Sequence, residues 1–119
     1  MTWAVLFDEA FAAEAARFGV DVRFELRAVT RLLKVHGPHL GRPHADTLKG
    51  SKHANMKELR FYAADGVWRV AFCSDPQRNA ILLVAGDKSG VSEKKFYKRL
   101  IGVADKRFDL HLDHLKRGG

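Results

Sequence analysis

The chain of 119 residues carries 21 Lys and Arg against 14 Asp and Glu, a single cysteine and 46% apolar residues. That length suits one domain spanning residues 1–119, the apolar content excludes wholesale disorder, and Cys73, having no partner, excludes a disulfide framework or a zinc ribbon. No window approaches the ~18 apolar residues of a membrane-spanning helix, and no charged leader precedes a long apolar run, so a cytoplasmic protein without membrane association is expected.

In chain order, Trp3–Phe7 is a short apolar run with the composition of a strand. Asp8 then offers an N-cap for a helix reaching about Phe18, with Glu9 suiting its first turn, and Gly19 ends it. Val22, Leu26, Val29 and Leu33 recur at steps of four, three and four, which predicts a second helix over about 21–36, closed by Gly37-Pro38. Arg23, Arg27, Arg31 and Lys34 keep the same spacing on another face, where they read as solvated surface or, alternatively, as a contact for a partner protein. The polar stretch His39–Asn55 is a loop of about 16 residues.

Three strand-like runs follow at Met56–Tyr62, Val67–Ser74 and Ala80–Ala85, joined by Ala64-Asp65-Gly66 and by Asp75–Asn79. Alternation sets Trp68, Val70 and Phe72 on one side of the middle strand and Arg69, Ala71 and Cys73 on the other. Ile81–Val84 is apolar on both faces and is predicted to be central. Ser92 caps a final helix with Phe96, Leu100, Ala104, Phe108 and Leu112 as its apolar stripe. The order β, α, α, β, β, β, α predicts an α+β domain built on an antiparallel three-strand meander.

The chain has no phosphate-binding glycine loop with a following lysine, no GxGxxG, no GxSxG and no HExxH, which sets aside nucleotide and dinucleotide chemistry. His36, His39 and His44, and His111 with His114, have spacings that invite a metal, but without cysteine or acidic ligands they read as loop and helix-end residues, and no metal or cofactor is expected. Phe61, Trp68, Phe72, Phe96 and Phe108 fit core faces, Cys73 a small core position, and Tyr62 and Tyr97 are the better candidates for base stacking.

Charge is more informative. Residues 1–20 hold one base and three acids, residues 21–47 five and three, and residues 48–119 fifteen and eight, so the basic excess lies in the C-terminal three fifths and points to a polyanion. Lys49, Lys52 and Lys57 approach the first meander strand, Arg60 lies in it, Arg69 lies in the next, Lys88 follows the third, and Lys94, Lys95 and Tyr97 open the last helix. Arg69, flanked by apolar residues, is expected to emerge in a groove and to need an anionic partner there. The free amides of the helix beginning at Ser92 add to the positive potential near Lys88.

The element order, with Leu48-Lys49-Gly50, Lys57-Glu58-Leu59-Arg60, Trp68-Arg69-Val70-Ala71-Phe72 and Gly86-Asp87-Lys88-Ser89-Gly90, resembles the RelE/ParE toxin superfamily, closest to its HigB-like branch. The resemblance implies a microbial ribonuclease-type fold and a toxin held in check by a cognate antitoxin. It also implies ribosome-dependent cleavage of mRNA by 2′-hydroxyl attack, with gyrase inhibition of the ParE kind and non-catalytic RNA binding as alternatives. On that resemblance Arg60, Arg69, Lys88 and Lys57 are the catalytic candidates, and Lys49, Lys52, Lys94, Lys95 and Tyr97 the RNA-binding ones. Arg60 and Arg69 would stabilise charge on the phosphate, while Lys88, Lys57 or His53 would move the proton. Where some members carry two lysines on the first meander strand, this chain has Met56 and Glu58.

Overall fold

The computed structural model describes residues 2–118. In chain order they form β1 (Ala4–Phe7), α1 (Glu9–Ala15), α2 (Val20–His36), a 3-10 turn (Gly37–His39), β2 (Ala45–Thr47), β3 (Met56–Ala63), β4 (Gly66–Ser74), β5 (Asn79–Asp87) and α3 (Glu93–Lys116). One five-stranded sheet in the order β1-β5-β4-β3-β2 carries α1 and α2 on one face and α3 on the other. This is the α+β architecture read from the sequence, with its three-strand meander extended by a strand on each side. No helix among the described residues is long and apolar enough to cross a membrane.

The N-terminal elements follow local chemistry. The Asp8 carboxylate accepts a hydrogen bond from the Phe11 amide at 3.1 Å and caps α1, which stops at Ala15, a turn short of the predicted end. In α2 the predicted apolar residues Val22, Leu26, Val29 and Leu33 are all buried against the sheet. The helix ends at Gly37, whose φ of +57° and whose Cα lies so close to the Trp3 ring that a Cβ would sit 2.3 Å from it. Only glycine fits there.

Strand β5 is central, as its two-faced apolar run predicted, because β1 pairs with it in parallel while β4 pairs in antiparallel. Opposite Ala71 and Phe72 the register skips from Val84 to Leu82, leaving Leu83 as an extra residue. This bulge turns both Leu83 and Val84 toward α3, where they join Ile81, Ala71, Cys73, Phe96, Leu100, Ala104 and Phe108. On the other face Leu59, Phe61, Val70, Phe72, Ala80 and Leu82 pack against Phe11 and the α2 stripe. Strand β2 interrupts the predicted loop over residues 39–55. It is three residues long with only Ala45 buried, too short to show an alternating pattern.

The β4–β5 turn is held by Asp75, which is buried and accepts from the amides of Gln77 and Asn79, each at 2.9 Å, while His111 Nε2 of α3 lies 2.8 Å from its Oδ2. Burial opposes ionisation, but the bonds from His111, Asn79 and Gln77 outweigh it and hold the carboxyl below its usual value. A native pKa below the unfolded one contributes stability in full above about pH 4, lost as pH falls through the native value. In urea unfolding, Asp75→Asn is expected to be less stable than the parent at neutral pH, with the gap shrinking below about pH 4.

Candidate active site on the outer face of the meander

The β3–β4 register places Arg60 directly opposite Arg69. Both side chains lie on the α3 side of the sheet, since Leu59 and Val70, their neighbours, belong to the opposite core. Two cations directly opposed across a ladder repel. The pair is held by Glu58, two residues before Arg60 on the same strand and therefore on the same face, with only 2% of its surface exposed.

Glu58 Oε2 accepts from Arg60 Nε at 2.9 Å, lies 2.9 Å from Arg60 Nη2, and is 3.8 Å from Arg69 Nε. Asp46, from the unforeseen strand β2, adds a second carboxylate 3.4 Å from Arg60 Nη2. Arg69 is buried, and its Nη1 donates to the carbonyl of Trp68 at 3.0 Å. Glu58 Oε1 and Arg69 Nε have no hydrogen-bond partner. The expectation that Arg69 opens into a groove is therefore corrected: its anionic neighbour is internal, and the cation nearer solvent is Arg60, whose side chain is 31% exposed.

The start of α3 closes the site. Gly86, opposite Arg69, lets the Phe96 ring approach so closely that a Cβ there would meet it at 2.9 Å. The helix is thereby seated on the strand, and Tyr97 is half-buried beside Glu58 and Arg69. Burial pushes the Tyr97 hydroxyl upward, Arg69 pulls it down, and Glu58 adds to the rise, leaving a net increase. Lys88 reaches the same mouth and donates to Glu93 Oε1 at 2.7 Å. That bond holds the Glu93 carboxyl below its usual range, with the charges of Arg69 and Arg60 acting in the same direction. Glu93 is thus an exposed anion facing three cations.

The structure brings Arg60, Arg69, Lys88 and Tyr97 together, with Lys94 and Lys95 exposed on the adjoining first turn of α3. It does not bring Lys57 there. One position out of phase with Glu58 and Arg60, Lys57 lies on the α2 side, where its ammonium donates to the carbonyls of Pro38 at 2.7 Å and Leu40 at 3.1 Å. Lys49 and Lys52 belong to the loop beside the far half of α3, where Lys52 pairs with Asp109. His53 is fixed there too, its Nε2 2.9 Å from Asp109 Oδ1 and its ring edge-on to Phe108. Asp109 is twelve residues on from Tyr97 in the helix, about 18 Å along the axis.

The sequence reading passed over Glu58, Asp46 and Glu93. Glu58 was within reach, because the pattern Glu58-Leu59-Arg60 on a strand places acid and base on one face. Asp46 depended on β2, and Glu93 on knowing how near the helix start comes to the sheet. Among the described residues no group of three or more His, Cys, Asp or Glu side chains is placed to hold an ion. Cys73 is buried, with burial pushing its thiol up to about 12, which leaves it protonated and unreactive.

Because Glu93 places a carboxylate where a polyanion would meet Arg60 and Lys88, Glu93→Gln is expected to tighten binding of poly(U) by about two- to fivefold at low salt, with the gain fading as salt rises. Thermal unfolding of the variant should match the parent, since Glu93 is exposed.

Comparison with known proteins places the chain among relatives. Residues 14–109 match the family described as phage derived protein Gp49-like. The chain is 44% identical over 99 residues to "Putative toxin HigB3" of Mycobacterium tuberculosis, covering 83% of this chain and 84% of that protein. It is 43% identical over 86 residues to "Putative toxin HigB2" of the same organism, covering 71% of this chain but 42% of that longer protein. In fold it is similar to a mutant of the Escherichia coli toxin RelE in the free state, with a TM-score of 0.57 at 15% identity over 85% of this chain and 95% of that one. The chain belongs to the Gp49-like family, with the HigB proteins as its relatives.

Proposed function

We propose that this protein is the toxin of a toxin–antitoxin module and acts as a metal-independent endoribonuclease on mRNA held by the ribosome. The toxin part of the reading is supported by the identity with the HigB proteins over most of both chains. The observation that carries the chemistry is the convergence of Arg60, Arg69 and Lys88 on one face, beside the N-terminus of a long helix.

Attack of an RNA 2′-hydroxyl on the adjacent phosphate requires removal of the hydroxyl proton, stabilisation of charge on a five-coordinate phosphorus, and protonation of the departing 5′ oxygen. The products are a 2′,3′-cyclic phosphate and a 5′-hydroxyl. Arg60 and Lys88 reach solvent and would touch the phosphate oxygens directly, displacing the Glu93 carboxylate. Arg69, beneath them, adds its field from a position shielded from water, where a charge is felt more strongly. The Lys88 ammonium is the group at the mouth suited to protonate the leaving oxygen.

A base for the 2′-hydroxyl is the weak element. Lys57 faces the other core, His53 is tied to Asp109, and Glu93 is held ionised by Lys88, which makes its carboxylate a poor proton acceptor. The chemistry therefore leans on alignment of the 2′-oxygen with the phosphate, on the order of 7–11 kcal/mol in well-oriented cases, with the hydroxyl proton passing to solvent water. This supports a protein that is a poor nuclease alone and an effective one when the ribosome orients the message. An antitoxin with an acidic segment laid across Arg60, Lys88, Lys94 and Lys95 would silence it by taking the place of the phosphates.

Brief induction in cells, followed by mapping of new mRNA 5′ ends, tests the reading. Cuts confined to translated regions are expected, and Arg60→Ala or Lys88→Ala should each reduce them by about 10²–10³. Growth arrest without new ends would overturn the nuclease assignment and direct attention to gyrase.

A further inference from the structure

Strand β2 brings more to the site than Asp46. Its register sets Ala45 opposite Leu59 and Asp46 opposite Glu58. One residue earlier the pairing continues, because the Arg60 amide donates to the His44 carbonyl at 2.8 Å. His44 is therefore opposite Arg60, with the two backbones about 5 Å apart. Side chains alternate along a paired chain. Ala45 turns into the α2-side core with Leu59, and Asp46 reaches Arg60 on the other face, so His44 falls on the face of Asp46, Glu58 and Arg60.

The row that crosses the sheet at this level runs His44, Arg60, Arg69 and Gly86, from β2 to β5. Lys88 lies at its far end, its amide donating to the Val67 carbonyl at 2.8 Å. An imidazole and an ammonium thus stand on opposite sides of the arginine pair, three strand spacings or roughly 14 Å apart at the backbone, a gap that side chains of these lengths can narrow to a single phosphate. His53 and His111 are held by Asp109 and Asp75. His44 is exposed, and among the described residues its ring has no hydrogen-bond partner.

We propose that His44 is the general base of the cleavage, taking the 2′-hydroxyl proton that otherwise passes to water. The inference rests on the nuclease reading above and names the group missing from it. Neutral His44 accepts the proton at a ring nitrogen as the 2′-oxygen bonds to phosphorus. The bond from phosphorus to the 5′ oxygen breaks on the far side, where the Lys88 ammonium gives a proton to the departing oxygen. His44 is left as imidazolium and Lys88 as amine, and exchange with water restores both. In-line displacement sets the attacking and leaving oxygens on opposite sides of phosphorus, which is how base and acid stand about Arg60. Imidazole suits the task because its ordinary range spans neutral pH. At the open edge of the sheet His44 meets an aligned 2′-hydroxyl only when the ribosome presents one, so base and alignment act together.

The test is single-turnover cleavage of a defined message on purified 70S ribosomes, followed against pH for the parent, His44→Ala and Lys88→Ala, with sedimentation to measure ribosome binding. His44 is exposed and meets Arg60 through its backbone, so His44→Ala should melt with the parent. Its cleavage rate is expected to fall by about 10²–10⁴, with the ribosome affinity of the parent retained. The parent's rate should rise with pH through the imidazole range and level off, and that rise should vanish in His44→Ala. The titratable groups facing His44, namely Asp46 and Arg42 beside it, Glu58, Arg60 and Tyr62 on β3 and Tyr97 on α3, are of types that titrate outside this range. Free imidazole should restore cleavage to His44→Ala and not to Lys88→Ala. Parent-like cleavage by His44→Ala, or an unchanged pH profile, would overturn the assignment and leave the nuclease reading standing. Loss of cleavage together with ribosome binding would also overturn it and make His44 an RNA contact. Absence of cleavage by the parent would overturn it together with the nuclease reading.

Discussion

A carboxylate buried between two guanidiniums is the constraint on which the rest of the site depends. Arg60 and Arg69 face one another across the β3–β4 ladder, and without a counter-ion that register would place two like charges in contact in a largely dry setting. Glu58 supplies the counter-ion from the same strand and face, bonded to Arg60 and close to Arg69. A buried ion pair of this kind is weak evidence for added stability, since desolvating the charges costs about as much as their attraction returns. Its consequence is positional: it fixes two phosphate-seeking groups within a few ångströms and leaves one of them, Arg60, accessible.

The remainder of the fold brings the third cation and the helix to that pair. The β5 bulge turns Leu83 and Val84 together into the α3 core, and Gly86 allows Phe96 to settle on the strand. Helix α3 is tied at its middle by Arg107, which donates to the Leu83 carbonyl at 2.8 Å and pairs with Glu14 of α1 at 2.6 Å. These contacts join the helix to both sheet and N-terminal elements, so Tyr97 and Glu93 are held in place relative to Arg69 and Lys88. Glu93 then sits against Lys88, giving the free protein a partly neutralised mouth.

Much of this was legible in the residues, and what was not has physical reasons. The α2 stripe, the alternation of Trp68, Val70 and Phe72 against Arg69 and Ala71, the centrality of Ile81–Val84 and the stripe of α3 all rest on periodicity, which burial enforces over many residues. Arg60, Arg69, Lys88 and Tyr97 could be singled out one by one, yet their convergence depended on the pairing register between β3 and β4, which no single strand's pattern reveals. Lys57 shows the penalty of one residue: adjacent to Glu58, it emerges on the other face of the sheet and binds carbonyls there. Strand β2 was hidden because three residues carry no period, and Asp46 was hidden with it. Net charge placed the basic excess in the C-terminal part of the chain, which holds Arg60, Arg69, Lys88, Lys94 and Lys95, although three of these, Arg60, Arg69 and Lys88, are paired with carboxylates there.

Whether Glu58 holds the arginine pair is read most directly by a double-mutant cycle in urea unfolding, with Glu58→Gln, Arg60→Gln and the double variant. Coupling of about 1.5–3 kcal/mol is expected, the range for hydrogen bonds to charged groups. Additivity within about 0.5 kcal/mol would contradict it and leave the opposed arginines without the restraint on which the site is built.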